Sequence, residues 1–306
     1  MRIVFMGTPG FAIPPLERLY NEGHDIAAVV TRPDRPRNRG MKVTSCPVKE
    51  YAVSKGIPVY QPETLRDGVL TGILSELKCE LIAVVAFGKL LPVDMLNVPS
   101  FGCVNLHGSL LPKYRGASPI QWAVLNGETE TGVTAMYMAE ELDAGDILGI
   151  KKTAIDPDET MGELYARLMA LGADLLMETI DAISRNATVR IPQNTDEVTY
   201  APPMSKSMSP IDWTRDAHSI KCQVRGLNPW PVATIAIGDK TYKVFTVAIG
   251  EGRRAEAPGT IISTGVQGIE IACADGSIII KELQAPGGKR MKAADFLRGN
   301  TLTVNS

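Results

Sequence analysis

The stretch Phe101-Gly102-Cys103-Val104-Asn105-Leu106-His107-Gly108-Ser109-Leu110-Leu111-Pro112 decides how this chain is read. Its first half is an apolar run of strand character, and it breaks at once into a loop of glycine, serine and proline. Side chains two apart on a strand share a face, so Asn105 and His107 project together where strand gives way to loop. In an open α/β sheet, ligands bind at the carboxyl ends of the strands. Asn105 offers a neutral hydrogen-bond donor, while His107 carries the side chain that titrates near physiological pH. The pair suits a reaction in which a carbonyl oxygen becomes an oxyanion while a proton moves.

Outward from this strand the same alternation continues in both directions. Ile3–Met6, Ile26–Val30, Ile57–Tyr60 and Leu81–Val85 read as further strands. Between them lie helices from Pro14 to Gly23, from Pro47 to Gly56 and over Leu65–Leu77. Beyond it, Ser118-Pro119 opens a helix that ends at Gly127, Thr131–Met138 is strand-like, and Thr160–Ile183 is a long amphipathic helix. Continuous apolar strands alternating with helices predict an α/β fold, a Rossmann-like and mostly parallel sheet covered on both faces. The turn after the first strand, Gly7-Thr8-Pro9-Gly10-Phe11-Ala12, is not G-x-G-x-x-G. Pro9 stands where a second glycine must let a pyrophosphate approach, which argues against a dinucleotide. There is no Walker motif, which argues against nucleotide hydrolysis.

The pattern changes in the last third. Residues 191–207 are rich in proline and serine, as a linker would be. A helix at Ala217–Val224 follows, and then short segments of alternating character: Ala233–Ile237, Tyr242–Val247, Thr260–Ser263, Gln267–Ala272 and Ser277–Glu282. Asp275-Gly276 is a hairpin turn. Five short strands with tight turns predict a small β-barrel, an open one of OB type, with the helix Ala293–Leu297 plugging it or packing on it. The expected organisation is therefore a sheet domain over 1–190, a linker over 191–207 and a barrel domain over 208–306.

Composition narrows the function classes. The 306 residues, 44% of them hydrophobic, are enough for one large or two medium cores. The net charge of −2 conceals an asymmetry: 208–306 holds 12 Lys and Arg against 9 Asp and Glu, and the remainder 20 against 25. A surplus of three positive charges is weak support for a nucleic-acid partner. The five cysteines are scattered without C-x-x-C, which fits reduced thiols rather than disulfides or a zinc site. The start lacks the apolar core and cleavage site of a signal peptide, and the longest apolar run, Leu81–Phe87, is far short of a membrane span. The expectation is a cytoplasmic protein with no membrane partner, no metal and no evident obligate protein partner.

Of the three histidines, His24, His107 and His218, only His107 shares a strand face with an amide and opens into a glycine loop. A carboxylate beside it would orient the ring and favour its charged form. The acidic stretch Glu140-Glu141-Leu142-Asp143-Ala144-Gly145-Asp146 offers one. Glu140 and Glu141 read as a solvated turn, whereas Asp143, between Leu142 and Ala144-Gly145, is the inward-pointing member.

Taken together, Asn105-x-His107, Ser109-Leu110-Leu111-Pro112, Tyr114-Arg115-Gly116 and Asp143-x-Gly145-Asp146 resemble the folate-dependent formyltransferases. The likeness runs nearly the whole length, from Met6-Gly7-Thr8-Pro9 and Pro33-Asp34-Arg35-Pro36 to Ile211-Asp212-Trp213 and Asn228-Pro229-Trp230-Pro231. It implies 10-formyltetrahydrofolate as co-substrate, without a metal, and catalytic roles for Asn105, His107 and Asp143. Asn105 and a charged His107 would hold the oxyanion while Asp143 accepts the amine's proton. A neutral His107 acting as general base, with Asp143 orienting it, stays open. By the same likeness Ser109, Leu110, Leu111 and Pro112, with Val85-Ala86-Phe87-Gly88, line the pterin pocket. For Ser109 the stronger reading is loop shaping, and for Phe87 packing and pocket lining are evenly matched.

Residues 32–49 hold six basic side chains (Arg32, Arg35, Arg37, Arg39, Lys42, Lys49) against one acid, Asp34. The run reads as a solvated loop or as an arm that tracks phosphates. In the resembled family it enters the acceptor end of charged initiator tRNA, which makes Arg39, with Arg37 and Lys42, the tRNA-binding candidates here. The chain departs from that family at Arg37-Asn38, where small residues are expected, and at Pro203, where a lysine is usual. Two other readings remain: a formyltransferase for a small amine, such as an amino-sugar nucleotide, and a non-enzymatic nucleic-acid binder built on the barrel.

Overall fold

The amino-terminal strand sits inside a seven-stranded sheet because its residues are apolar on both faces; Ile3, Val4, Phe5 and Met6 are all completely buried. The computed structural model describes residues 1–37, 42–251 and 256–302, and of residues 36, 37, 42 and 43 the backbone alone. The strands are β1 (Arg2–Gly7), β2 (Asp25–Val30), β3 (Val59–Tyr60), β4 (Leu81–Val85), β5 (Cys103–His107), β6 (Glu130–Tyr137) and β7 (Ile147–Ala154). They lie in the order β7-β6-β5-β4-β1-β2-β3. The pairs from β3 across to β5 are parallel, and β6 joins β5 antiparallel. The helices of this part are α1 (Ile13–Asn21), α2 (Pro47–Ser54), α3 (Val69–Glu76), α4 (Pro119–Leu125) and α5 (Met161–Ser184).

Register brings three strand ends level. Gly7 on β1 pairs with Val85 on β4, and Val85 with Leu106 on β5. The chain leaves β1 towards β2 and β3 on one side, then returns to β4 on the other. That reversal beside β1 is the topological switch point at which open α/β sheets bind ligands. Gly7 lets the following turn close on the sheet: a Cβ there would stand 2.7 Å from the Ala12 Cβ and 2.9 Å from the Val85 carbonyl oxygen.

One expectation shifts, and one strand is additional. The helix expected over 65–77 starts only at Val69, after Gly68 at φ +74°, with Leu65 buried in the turn ahead of it. The edge strand β7 had no sequence signal, since its half-exposed residues, Ile-Leu-Gly-Ile-Lys-Lys-Thr-Ala, do not make a clean alternation.

The chain packs as two compact units. One comprises Met1–Pro119, Thr131–Thr153 and Tyr165–Ala201; the other comprises Ile120–Glu130, Ala154–Leu164 and Pro202–Ser306. The stretch read as linker thus divides. Residues 191–201 belong to the first unit, where Ile191 and Ile147 exchange both backbone hydrogen bonds and Tyr200–Ala201 pairs in parallel with Arg115–Gly116. The second unit also takes in two segments from the amino-terminal part. Leu125 packs on Gly226, and the buried Arg225 guanidinium donates to the carbonyls of Glu159 and Asp156.

The second unit is built on an antiparallel sheet of β8 (Ala233–Ile237), β9 (Lys240–Ile249), β10 (Ile261–Gly265), β11 (Gly268–Ala272), β12 (Ser277–Gln284) and β13 (Arg290–Lys292). The path runs β8-β9-β12-β11-β10, with β13 beside β12, so the ladder among the described residues has two ends rather than closing as a ring. With the sheet go α6 (Ala217–Gly226) and α7 (Ala293–Leu297), and Ile220, Val224, Ala293 and Phe296 join its strands in one core. Among the described residues no helix is long and apolar enough to cross a membrane.

Candidate active site

On β5 the alternation sends Cys103, Asn105 and His107 to one face, while Val104 and Leu106 are buried on the other. The backbone of Asn105 lies between Val84 on β4 and Met136 on β6, and His107 pairs with Thr134. The Asn105 side chain is half-buried, and its amide has no hydrogen-bond partner within the described chain. It stands one strand pair away from the level ends of β1 and β4.

The loop after β5 is held by hydroxyls. Thr134 Oγ1 donates to the Ser109 carbonyl at 2.7 Å and accepts from Leu111 N at 3.2 Å. Ser109 Oγ donates to the Lys113 carbonyl at 2.7 Å. The serine hydroxyl is thereby turned into its own loop, in keeping with a shaping role. Leu111 is buried against Met136 and Ile147, whereas Leu110 and Pro112 are half-buried.

His107 is 6% exposed and is held from both sides. Its Nε2 lies 2.9 Å from the Tyr114 carbonyl oxygen. A carbonyl only accepts, so Nε2 must carry the hydrogen. The other nitrogen, Nδ1, faces Asp143 Oδ2 at 3.7 Å, and the same oxygen accepts a hydrogen bond from Gly116 N at 2.8 Å. Asp143 and Tyr114 both have positive φ, at +50° and +62°. Such conformations cost an ordinary residue on the order of 1–3 kcal/mol, and they persist where the surroundings dictate them. The structure therefore brings Asn105, His107 and Asp143 to one place. Glu140 and Glu141 remain exposed.

Gln193 is a residue the sequence did not single out. Its amide touches the carbonyls of Asp143 and Gly145 and the guanidinium of Arg115, which is itself buried. A lone glutamine in a polar, proline-containing segment carries no pattern that could have marked it.

The turn after β4 forms a second wall at the strand ends. Ala86 and Gly88 are exposed and both have positive φ, at +49° and +76°. Arg32 Nη2 donates to the Gly88 carbonyl at 2.6 Å, and Arg32 N donates to Thr8 Oγ1 at 3.3 Å. Phe87, 2% exposed, packs into the core cluster with Met6, Leu70 and Val84, which leaves its ring a packing role.

The basic loop is only partly covered. Arg35–Arg37 pairs antiparallel with Lys42–Thr44. Arg39 lies outside the described residues, as do the side chains of Arg37 and Lys42. Among the described side chains, Arg32 is used within the protein on Gly88, and so is Lys49, whose Nζ meets Asp34 Oδ2 at 2.5 Å and Gln61 Oε1 at 2.6 Å.

A neutral amide donor, an imidazole with one fixed hydrogen and a facing carboxylate can together polarise a carbonyl and accept a proton. Among the described residues no group of three or more His, Cys, Asp or Glu could hold a metal ion.

Comparison with known proteins gives concordant matches for both parts of the chain. Residues 1–180 match the family described as Formyl transferase, and residues 203–301 match that described as Formyl transferase, C-terminal domain. The methionyl-tRNA formyltransferase of Geotalea daltonii is 48% identical over 306 residues, covering 100% of this chain and 97% of its own length. That of Trichlorobacter lovleyi is 47% identical over 305 residues, covering 100% and 96%. Among solved structures, an N-formyltransferase from Helicobacter canadensis in complex with folinic acid and dTDP-3-aminofucose superposes with a TM-score of 0.70. It is 20% identical and covers 94% of this chain and 99% of that one, a likeness of fold.

Proposed function

The chain belongs to the formyl transferase family, and from that premise we propose that it moves the formyl group of 10-formyltetrahydrofolate onto the free amino group of methionyl-initiator tRNA. The acceptor follows from relatives close to half identical over the full length of both chains. The observation that carries the chemistry is the His107–Asp143 pair, Nδ1 to Oδ2 at 3.7 Å, on the strand face that presents Asn105.

In this reading the amine nitrogen attacks the formyl carbon, and the carbonyl electron pair moves onto its oxygen. The Asn105 amide and Nδ1–H of a charged His107 hold that oxyanion, since preorganised donors aimed at developing charge lower the barrier. Asp143 takes the proton that the amine sheds, directly or through water. Collapse of the tetrahedral state expels N10 of the folate, which takes from Asp143, directly or through water, the proton the amine shed, giving N-formylmethionyl-tRNA and tetrahydrofolate. The Ser109-Leu110-Leu111-Pro112 loop and the exposed Ala86–Gly88 turn supply backbone donors and acceptors of the kind that read a flat pterin amide. Phe87 supports that turn from below.

For the tRNA we propose Arg39, with Arg37 and Lys42, in the basic segment after β2, and a contribution from the carboxy-terminal domain over 208–306. The six basic side chains against one acid over 32–49 support this. The decisive experiment offers 10-formyltetrahydrofolate together with methionyl-initiator tRNA, elongator methionyl-tRNA and an amino-sugar nucleotide. Formylation of the initiator species with preference over both others is expected. Preferential formylation of the sugar would replace this reading with that of a small-amine enzyme.

A further inference from the structure

Gln193 joins the turn that carries Asp143 to the side chain of Arg115, which follows the residue whose carbonyl anchors His107, and its partners fix which amide atom is which. The Arg115 nitrogens can only donate, and Nε and Nη2 meet Oε1 at 3.1 and 2.7 Å. The carbonyls of Asp143 and Gly145 can only accept, and each lies 2.8 Å from Nε2. Met136 Sδ, 3.9 Å from the same nitrogen, is a weak third acceptor. Both N–H bonds of the amide are thus committed to the turn in which Asp143 adopts φ +50°.

The strap around Gln193, residues 191–201, holds the opposite turn as well. Thr199 accepts from Tyr114 N on its hydroxyl and from Arg115 N on its carbonyl, each at 2.8 Å. Tyr114 in turn supplies the carbonyl that holds His107 Nε2. One short segment therefore fixes, from behind, both the imidazole's anchor and the carboxylate's turn.

We propose that Gln193 is a positioning residue for formyl transfer: its amide holds the Asp143–Gly145 carbonyls so that the Asp143 carboxylate faces His107 Nδ1. The proposal rests on the reading of Asp143 as catalytic. The carboxylate receives Gly116 N on one oxygen, and its remaining orientation comes from the turn that Gln193 grips. Misplacing a catalytic group by a fraction of its reach lowers turnover rather than affinity.

The test is steady-state kinetics on the full chain for Gln193→Glu, Gln193→Ala, Asp143→Asn and the Gln193→Glu/Asp143→Asn double variant, each checked by a thermal melt. Gln193→Glu keeps an oxygen for Arg115 but sets a second oxygen against the two carbonyls. A residue that merely braced the fold through Arg115 would tolerate it. The expected result is a folded protein with kcat lowered roughly ten- to hundredfold and KM for both substrates within about twofold of wild type. In the Asp143→Asn background the same change should cost no more than about a further twofold, because both act through one carboxylate. Wild-type kcat in Gln193→Glu, a loss confined to KM, losses that multiply in the double variant, or failure of both Gln193 variants to fold would each overturn the proposal. A fully active Asp143→Asn would instead remove the reading of the site on which it stands.

Discussion

Gly145 passes so close to Tyr137 that a Cβ on it would lie 1.8 Å from the Tyr137 carbonyl oxygen and 2.8 Å from its carbon. Both sides of that contact are backbone, so no rotamer change relieves it. Gly145→Ala should force apart the turn that carries Asp143 and destabilise the protein by about 3 kcal/mol or more. A denaturant titration beside wild type checks this. An unchanged midpoint together with full activity would mean that the turn has slack.

His107 and Asp143 face each other at 3.7 Å, and in the proposed mechanism they act as one unit. His107→Ala and Asp143→Ala should each lower kcat by about 10²- to 10⁴-fold, and the double variant should lose little more than the worse single one. Pre-steady-state formylation rates on all four proteins supply the cycle. Losses that multiply would separate the two groups.

Asn105→Ala removes a donor without removing a structural hydrogen bond, since the amide has none within the described chain. Its kcat should fall by about 10²-fold with little change in either KM, as expected of a contact that strengthens in the transition state. A defect lying wholly in folate affinity would make Asn105 a binding residue.

The start of α5 carries a pH-dependent element of stability. Glu163 Oε2 accepts from Thr160 N at 2.8 Å and from Thr160 Oγ1 at 2.7 Å, and Glu163 N donates back to Thr160 Oγ1 at 3.3 Å. The backbone N–H of Thr160, first, and its hydroxyl hold the Glu163 carboxyl below its ordinary value. A carboxyl lowered in the folded state contributes stability above its unfolded value, near 4.3, and loses it as pH falls through the folded one. Glu163→Gln should therefore cost about 0.5 kcal/mol at neutral pH, and the gap should narrow below pH of about 4. Melting curves across that window decide it; a gap that is constant with pH assigns the effect to shape rather than charge.

Thiol chemistry should report folding rather than activity. All five cysteines are buried. Burial pushes the Cys103 thiol up to about 12 and raises those of Cys79, Cys222 and Cys273. Thiolates are the reactive species, so a disulfide reagent at about pH 8 should label the native chain slowly and all five positions once it is denatured. Rapid native labelling of Cys103 would show that β5 opens.

Much of the fold was legible because burial on both faces writes itself as unbroken apolar runs. β1, β2 and β4 could be read in this way, and β5 announced its site because polar Asn105 and His107 interrupt such a run at the spacing of one face. β7 was not legible: its exposure alternates at the sheet edge, but apolar Ile150 and Ala154 fall on the exposed positions and Lys151 on a half-buried one, so polarity does not follow the alternation. The strap was hidden for another reason. Gln193, Thr199 and Ala201 act through backbone partners distant in sequence, and a contact to a carbonyl leaves no trace in the identity of the residue that owns it. Phe87 was evenly poised as a sequence feature, and its ring packs into the core beneath the turn after β4.

Tied through Nε2 to the Tyr114 carbonyl, the His107 ring cannot serve as a two-ended relay. A proton that arrives at Nδ1 has no exit through the opposite nitrogen and must depart by the face it entered. The imidazole is in effect a dead end for proton traffic, and any proton that the reaction releases must travel on the Asp143 side of the ring rather than through it.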